Sequence, residues 1–210
     1  MTVAIIGAGH VGQGLARNLN RQGEAVIFGV SDPAKYRAVA AQIDAAVRVG
    51  AVAEAVAVAE LVILAVPYEA AGPIAATIAD WQGKILIDAT NPLAPHLAGL
   101  SVGTTDSAAE AIARQARNAR VIKTFNTTGA DNLADPAYPG GRIFMPVCGD
   151  DADARARVMA LVSRMGFEAV DLGGLAAARY LEPFAMTWIH WAHTLGEGPD
   201  FAFGLLRRKR

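Results

Sequence analysis

Short runs of apolar residues alternate along this chain with segments in which apolar residues recur every three or four positions. The clearest runs are Val3–Ile6, Ala25–Phe28, Leu61–Val66, Lys84–Asp88 and Arg120–Phe125. Such runs are typical of strands buried on both faces of a parallel sheet, and the periodic segments between them are typical of amphipathic helices. The alternation predicts an α/β fold: a doubly wound, mostly parallel sheet of the Rossmann type.

The first apolar run leads directly into a glycine-rich turn, Gly7-Ala8-Gly9-His10-Val11-Gly12, and a helical pattern follows. In such a unit the first glycine permits a tight turn, the second lets the backbone approach a ligand, and the third lets the helix pack against the strand. The free N–H groups at the helix N-terminus favour an anion. We expect all six residues of this glycine loop to bind the pyrophosphate of a dinucleotide.

The end of the chain departs from the alternation. Gly173 and Gly174 open a long helix that reaches about residue 195. We therefore predict a dinucleotide-binding domain over residues 1–172 and a C-terminal helical extension over residues 173–210, which contacts substrate or a partner subunit. This helix carries more large apolar side chains than one face of a sheet covers, which favours a homodimer. They are Phe184, Met186, Trp188, Ile189 and Trp191.

Uncharged residues follow three further predicted strands, at the edge where open parallel sheets bind their ligands. They are Val66-Pro67-Tyr68, Asn91-Pro92 and Asn126-Thr127. Such a lining suits hydride transfer, which needs two rings held close together and water excluded more than it needs an acid–base pair. We predict that Asn91 and Thr127 are the catalytic residues. The others, with Asn91, are predicted to contact the cofactor.

The loop after the second strand normally chooses between NAD and NADP. A carboxylate at the strand end binds the ribose 2′-OH, whereas Arg or Ser accepts a 2′-phosphate. Here Val30 occupies the strand end and does neither. Ser31 and Lys35 are the candidates for holding a phosphate, and Asp32 either reaches the ribose or shapes a turn before Pro33.

The composition narrows the choice of partners. The chain has 210 residues, 53% of them hydrophobic, and a formal net charge of −1. A charge near zero argues against nucleic acid as the main partner, and charged residues interrupt the apolar runs, so no membrane span is expected. Cys148 is the only cysteine, which excludes an internal disulfide and favours a cytoplasmic location. The basic residues 207–210 are interpreted as a solvated terminus.

His190 and His193 lie three residues apart, so they share one face of the C-terminal helix. A metal site needs further ligands at matching positions. The sequence offers no convincing set, and no metal is expected.

Several segments of the chain resemble one enzyme family. The sequences D-A-T-N-P at residues 88–92 and K-T-F-N-T at residues 123–127 are far more specific than the glycine motif. Together with the glycine loop, residues 148–151 and residues 171–182, they resemble the NADP oxidoreductases that use the deazaflavin coenzyme F420. They are similarly close to the flavin-linked reductase domain of the six-transmembrane metalloreductases.

The resemblance implies an oxidoreductase that binds NADP(H) on the glycine loop and transfers hydride to or from F420 or a flavin. It also implies a dimer. Members of the family usually carry Ser-Arg where this chain has Val30-Ser31, and that arginine grips the 2′-phosphate. NADP(H) is still the expected dinucleotide, because Val30 is even less like the carboxylate of an NAD site. NAD(H) is the alternative.

Two other functions are compatible with the same loops. One is a reductase of a small imine, carbonyl or 3-hydroxy acid substrate, although such enzymes usually add a large helical domain and only residues 173–210 remain for one here. The other is a dinucleotide sensor without catalytic activity. Titration with NADPH and NADH, followed by addition of F420 or a flavin, separates the three functions.

Overall fold

The computed structural model describes residues 1–208. Lys209 and Arg210, half of the basic terminus predicted to be solvated, lie outside the described residues. Arg207, in the same terminus, forms an ion pair with Glu168. Within residues 1–208, no helix is long and apolar enough to cross a membrane.

Strands and helices alternate through most of the chain, as the apolar pattern predicts. The strands are β1 Thr2–Ile6, β2 Ala25–Val30, β3 Arg48–Ala51, β4 Leu61–Leu64, β5 Ile85–Asp88, β6 Arg120–Lys123, β7 Ala137–Tyr138, β8 Gly141–Arg142, β9 Phe144–Gly149 and β10 Glu168–Asp171. The α-helices are α1 His10–Arg21, α2 Pro33–Ile43, α3 Val52–Val58, α4 Tyr68–Thr77, α5 Ala108–Gln115, α6 Ala130–Ala134, α7 Ala152–Arg164 and α8 Ala178–Ile189. A π-helical turn, His190–Thr194, continues α8.

One sheet contains eight of these strands, in the order β3-β2-β1-β4-β5-β6-β9-β10. β1 to β6 are all parallel to one another. β9 pairs antiparallel with β6 and parallel with β10, so the last two strands run in the opposite direction. The chain reaches β9 through a five-residue helix and the β7–β8 hairpin, and an antiparallel neighbour needs no long crossover. The predicted Rossmann-type, mostly parallel sheet is confirmed.

The central strand β1 sends alternate side chains into two cores. Val3 and Ile5 join the core formed with α1 and α7. Ala4 and Ile6 join the core on the other face, formed with α3, α4 and α5. Burial on both faces explains the unbroken apolar run of this strand. Because strand order reverses between β1 and β4, a crevice forms at their carboxyl ends, where ligands bind in such sheets.

The second half of the C-terminal helix is partly covered by residues 201–203 of the same chain. Trp188 is 4% exposed, and its indole stacks on Phe201 with ring centroids 5.4 Å apart. The same indole N–H donates to the carbonyl of Phe201 at 2.9 Å. Two residues after Phe201 the chain reaches β9, where the Phe144 N–H donates to the carbonyl of Phe203. The sequence predicts that Trp188 and Trp191 of this helix both contact a partner subunit. The structure corrects this for Trp188, which is buried, whereas Trp191 is 44% exposed.

Candidate active-site cleft

A cleft of about 760 Å³ lies at the carboxyl ends of β1, β4, β5 and β6. The glycine loop forms one end of it, and α8 with its π-helical turn forms another. The loops that follow β1, β4, β5 and β6 meet here as predicted, whereas the loop after β2, which was predicted to join them, does not contribute to the lining. The lining includes Gly9, His10, Val11, Val66, Pro67, Tyr68, Asn91, Asn126, Thr128, Trp188 and His193.

The glycine loop has the geometry of an anion cradle. Gly7 has φ +104°, and a Cβ there would lie 2.5 Å from the carbonyl oxygen of Ala65. A Cβ on Gly12 would lie 2.2 Å from the carbonyl oxygen of Gly7, so this glycine permits the close approach of α1. A Cβ on Gly9 would meet no atom within 4 Å. Gly9 is also the N-cap of α1, and no side chain caps the helix there. The first-turn N–H groups therefore face open space next to Gly9.

Three other predicted residues, Ala8, Val66 and His10, lie in the glycine loop or against it. Ala8 is buried, and its carbonyl accepts a 2.9 Å hydrogen bond from the side-chain amide of Gln13. Val66 contacts the loop from β4, because its Cγ1 lies 2.8 Å from the position of a Cβ on Gly7. His10 is exposed and lines the cleft.

Two asparagine amides form the floor of the cleft near α8. Asn91 Nδ2 donates to the backbone carbonyl of Asn126 at 2.8 Å, and Asn126 Nδ2 donates to Asn91 Oδ1 at 3.0 Å. Asn126 Nδ2 also reaches the carbonyl of Leu181, in α8, at 3.3 Å. All these partners are acceptors for the NH₂ groups, so the orientation of both amides is determined by the hydrogen bonds. This amide pair joins the loops after β5 and β6, which are 35 residues apart in sequence.

Tyr68 begins α4 and lines the cleft beside Pro67. Burial raises the pKa of Tyr68, and the negative charges of Glu182, Asp106 and Asp88 raise it further. The hydroxyl is therefore protonated at neutral pH and available as an uncharged hydrogen-bond donor.

Two of the predicted residues that follow β5 and β6 are not brought to the cleft. Thr127 is buried, and its hydroxyl lies 3.8 Å from the sulfur of Met145 in the core. The chain bends at Thr127 and Thr128, and Asn126 and Thr128 line the cleft instead. Pro92 is buried below the surface of the cleft, where its carbonyl accepts a hydrogen bond from the backbone N–H of Ser101. Lining residues that carried no predicted role include Thr128 and the charged residues Arg17 and Asp131.

The loop after β2 is exposed, and Ser31 and Lys35 lie outside the lining of the cleft. Asp32 is the N-cap of α2: its Oδ1 accepts from the N–H groups of Ala34 at 3.1 Å and Lys35 at 3.4 Å. Of the two roles considered for Asp32, the structure therefore shows the one that shapes the backbone.

A buried cluster of three charged residues lies behind the amide pair. Lys123 Nζ is 2.8 Å from Asp88 Oδ2 and 3.1 Å from Glu182 Oε1. It also donates to the carbonyl of Thr90 at 2.6 Å. Asp88 and Lys123 are direct neighbours in the β5–β6 register. Glu182 carried no predicted role in the sequence, although a lone acid within the apolar run of α8 is a signal for a buried partner.

His193 lines the cleft, and His190 lies on the preceding turn, outside the lining. Within residues 1–208, no three His, Cys, Asp or Glu side chains are grouped as metal ligands. His193 instead packs edge-on against Trp188, with ring centroids 5.8 Å apart.

Known proteins match this chain in sequence. Residues 2–92 match the family described as NADP oxidoreductase, coenzyme F420-dependent. An F420-dependent NADP reductase of Methanothermobacter marburgensis is 34% identical over 198 residues, which cover 87% of this chain and 88% of that protein. The chain belongs to the F420-dependent NADP oxidoreductase family. The resemblance inferred from its motifs is confirmed.

Two further proteins are similar to this member of the F420-dependent NADP oxidoreductase family. A crystal structure from Arthrobacter sp. FB24, proposed to be an F420-dependent NADP reductase, has a TM-score of 0.88 and 34% identity, covering 99% of this chain and 100% of that one. Rat metalloreductase STEAP3 is 30% identical over 180 residues, which cover 86% of this chain and 35% of that protein. The protein is an NAD(P)H-dependent oxidoreductase.

Proposed function

We propose that this protein transfers hydride between NADP(H) and coenzyme F420, the activity for which its Methanothermobacter relative is named. The observation that supports this most strongly is the continuity of the cleft. It runs from the N-terminus of α1, past the Asn91–Asn126 pair, to Trp188. One cavity thus combines an anion-binding end, an uncharged polar floor and an aromatic wall.

The glycine loop fits the pyrophosphate of the dinucleotide. The open space at Gly9 admits phosphates next to the first-turn N–H groups of α1, which are not occupied by a capping side chain. The partial positive charge at this helix end favours the anion. These contacts would hold the dinucleotide with its nicotinamide end toward the amide pair.

The amide pair and Tyr68 would orient the nicotinamide. Amide and hydroxyl groups can bind its carboxamide without adding a charge to the cleft. When bound, the reduced nicotinamide supplies hydride to a facing ring, and no side-chain proton is needed at the atom that receives it. The task of these residues is alignment and exclusion of water.

The second coenzyme is the finer part of the proposal. F420 is favoured over an ordinary flavin because the relatives that match most of their own length are named for it.

The decisive experiment adds F420, FMN or a small imine to the purified protein with NADPH and follows NADPH oxidation. We expect oxidation with F420. Oxidation with the imine alone would favour the small-substrate reductase, and tight NADPH binding without any turnover would favour the sensor.

Cofactor choice is expected to change when Ser31 is replaced by Arg. A guanidinium at this exposed position adds a charge-assisted contact to the 2′-phosphate, so Kd for NADPH should fall about tenfold. Kd for NADH should stay nearly constant, because NADH lacks that phosphate. Calorimetric titration with both dinucleotides measures this. Ser163→Arg, on the exposed side of α7, adds the same charge elsewhere and should change neither Kd. Equal tightening of both dinucleotides by Ser31→Arg would contradict the assignment.

A homodimer through the C-terminal helix remains a prediction. Trp191 and Leu195 are exposed, at 44% and 68%, and they line an apolar groove with Pro183 and Met186. Replacing both exposed residues by Glu should convert a dimer into monomers in sedimentation velocity experiments, because charges are costly in an apolar interface. Val58→Glu, at another exposed apolar position, is the control and should leave the dimer intact. A wild-type protein that sediments as a monomer at high concentration would refute the prediction.

Two further predictions rest on the sequence. The proposed location is the cytoplasm, and the proposed division of the chain places the dinucleotide-binding domain at residues 1–172.

A further inference from the structure

The buried cluster of Lys123, Asp88 and Glu182 holds one more negative charge than positive. Burial lowers the pKa of Lys123, but the attraction of the two carboxylates outweighs it, and the pKa lies above its ordinary value. The ammonium is therefore charged at neutral pH. Both carboxylates are held as acceptors: Asp88 Oδ1 accepts from the Thr90 N–H at 2.9 Å, and Glu182 accepts from two N–H groups in the first turn of α5 at 3.0 and 3.2 Å. One ammonium against two carboxylates leaves a net charge of −1.

The cluster is connected directly to the amide pair of the cleft. Lys123 and Asp88 both bind the backbone of Thr90, the residue before Asn91. Asn126 donates to the carbonyl of Leu181, the residue before Glu182. A buried charge is screened by water and salt far less than a surface charge, so its field extends into the neighbouring cleft.

We propose that this cluster is a positioning element that makes the cleft bind the oxidised nicotinamide more tightly than the reduced one. The inference rests on the proposed function, which puts the nicotinamide end of the dinucleotide at the amide pair. The oxidised ring carries a positive charge and the reduced ring is neutral, whereas the rest of the dinucleotide is the same. A net negative charge behind the ring therefore distinguishes the two forms, and it favours release of hydride from NADPH.

The expected difference between the affinities for NADP⁺ and NADPH is moderate. At an effective dielectric constant of about 20, a single charge roughly 12 Å from a bound cation changes the affinity for that cation by about tenfold. The partial positive charge at the N-terminus of α5 offsets part of this effect. We expect the wild-type protein to bind NADP⁺ more tightly than NADPH by about three- to tenfold.

Glu182→Gln tests the inference, because it removes one negative charge and keeps the size of the side chain. The Lys123–Asp88 pair remains, so the cluster becomes neutral. Calorimetric Kd values should show weaker NADP⁺ binding by about three- to tenfold and NADPH binding within about twofold of wild type. Asp88→Asn should shift the ratio of the two Kd values in the same direction. A purely structural role would weaken both dinucleotides equally, and that result would overturn the inference.

Glu110→Gln is the matched control. Glu110 lies in α5 and pairs with Arg179 of α8 at 2.6 Å. The variant therefore removes the same charge at the contact between the same two helices, outside the lining of the cleft. It should leave the ratio of the two Kd values unchanged.

If neither of the variants Glu182→Gln and Asp88→Asn folds, the Kd ratio of the wild-type protein decides: tighter binding of NADPH than of NADP⁺ would refute the inference. Failure of the wild-type protein to bind either form would instead refute the proposed function.

Discussion

The variant Gly9→Asp is expected to fold normally and to lose dinucleotide binding. A Cβ at Gly9 meets no atom within 4 Å, and the backbone φ of −74° suits any residue. The new carboxylate would occupy the open space at the N-terminus of α1 and repel the pyrophosphate. Kd for NADPH, measured by calorimetry, should rise by at least about a hundredfold, since an opposed charge replaces a favourable anion site.

Two other glycines show whether the effect belongs to the ligand. Gly140→Asp places the same charge in the β7–β8 turn, also in open space, and should leave Kd unchanged. Gly12→Ala places a Cβ 2.2 Å from the carbonyl of Gly7, so it should lower the melting temperature as well as the affinity. Wild-type affinity in a folded Gly9→Asp variant would show that the pyrophosphate lies elsewhere.

Replacing Asn91 by Ala is expected to lower kcat for hydride transfer to F420 by about a hundredfold. Without Asn91, Asn126 loses the shorter of its two hydrogen bonds and keeps only the one to the carbonyl of Leu181. A displacement of about 1 Å between reacting rings costs a factor of this size. Kd for NADPH should stay within a few-fold of wild type, because the glycine loop still holds the pyrophosphate. Steady-state kinetics and calorimetry on the same preparation separate the two quantities.

Asn20→Ala, at the far end of α1 from the cleft, is the control for this substitution and should retain wild-type kcat. If Asn91→Ala kept full turnover with F420 and with flavins, the reacting centre would lie away from the amide pair. The small-substrate reductase would then become the better proposal, and imine reduction would be the next assay.

The local parts of this protein are encoded by short stretches of sequence. The unit of β1, the glycine loop and α1 can be predicted because its main signals are local, such as the φ of +104° at Gly7 and the close approach of Gly12 to the carbonyl of Gly7. Buried parallel strands are recognised by their apolar runs, and the order of strands and helices along the chain follows from their alternation. These local signals predict the fold class and the glycine loop that forms one end of the cleft.

The other end of the cleft depends on contacts between distant segments. Asn91 and Asn126 were both singled out, but their mutual hydrogen bonds arise from the neighbouring positions of β5 and β6. Thr127 and Thr128 have the same side chain, and only the direction of the backbone after β6 turns Thr127 toward Met145 and Thr128 toward the cleft. Sequence spacing does not specify that direction where a strand ends.

Tertiary structure also decided which apolar and charged residues are covered. Trp188 looked like an interface residue from the sequence, and Phe201, thirteen residues later, covers it instead. Lys123 and Asp88 are neighbours through strand register, whereas Glu182 completes their cluster from a helix about sixty residues beyond β6 in sequence.

The sequence by itself determined the strands, the helices and the glycine loop, because residues close together in the chain decide them. The buried charges and the floor of the cleft were decided by packing, because their partners meet only when the sheet and α8 come together.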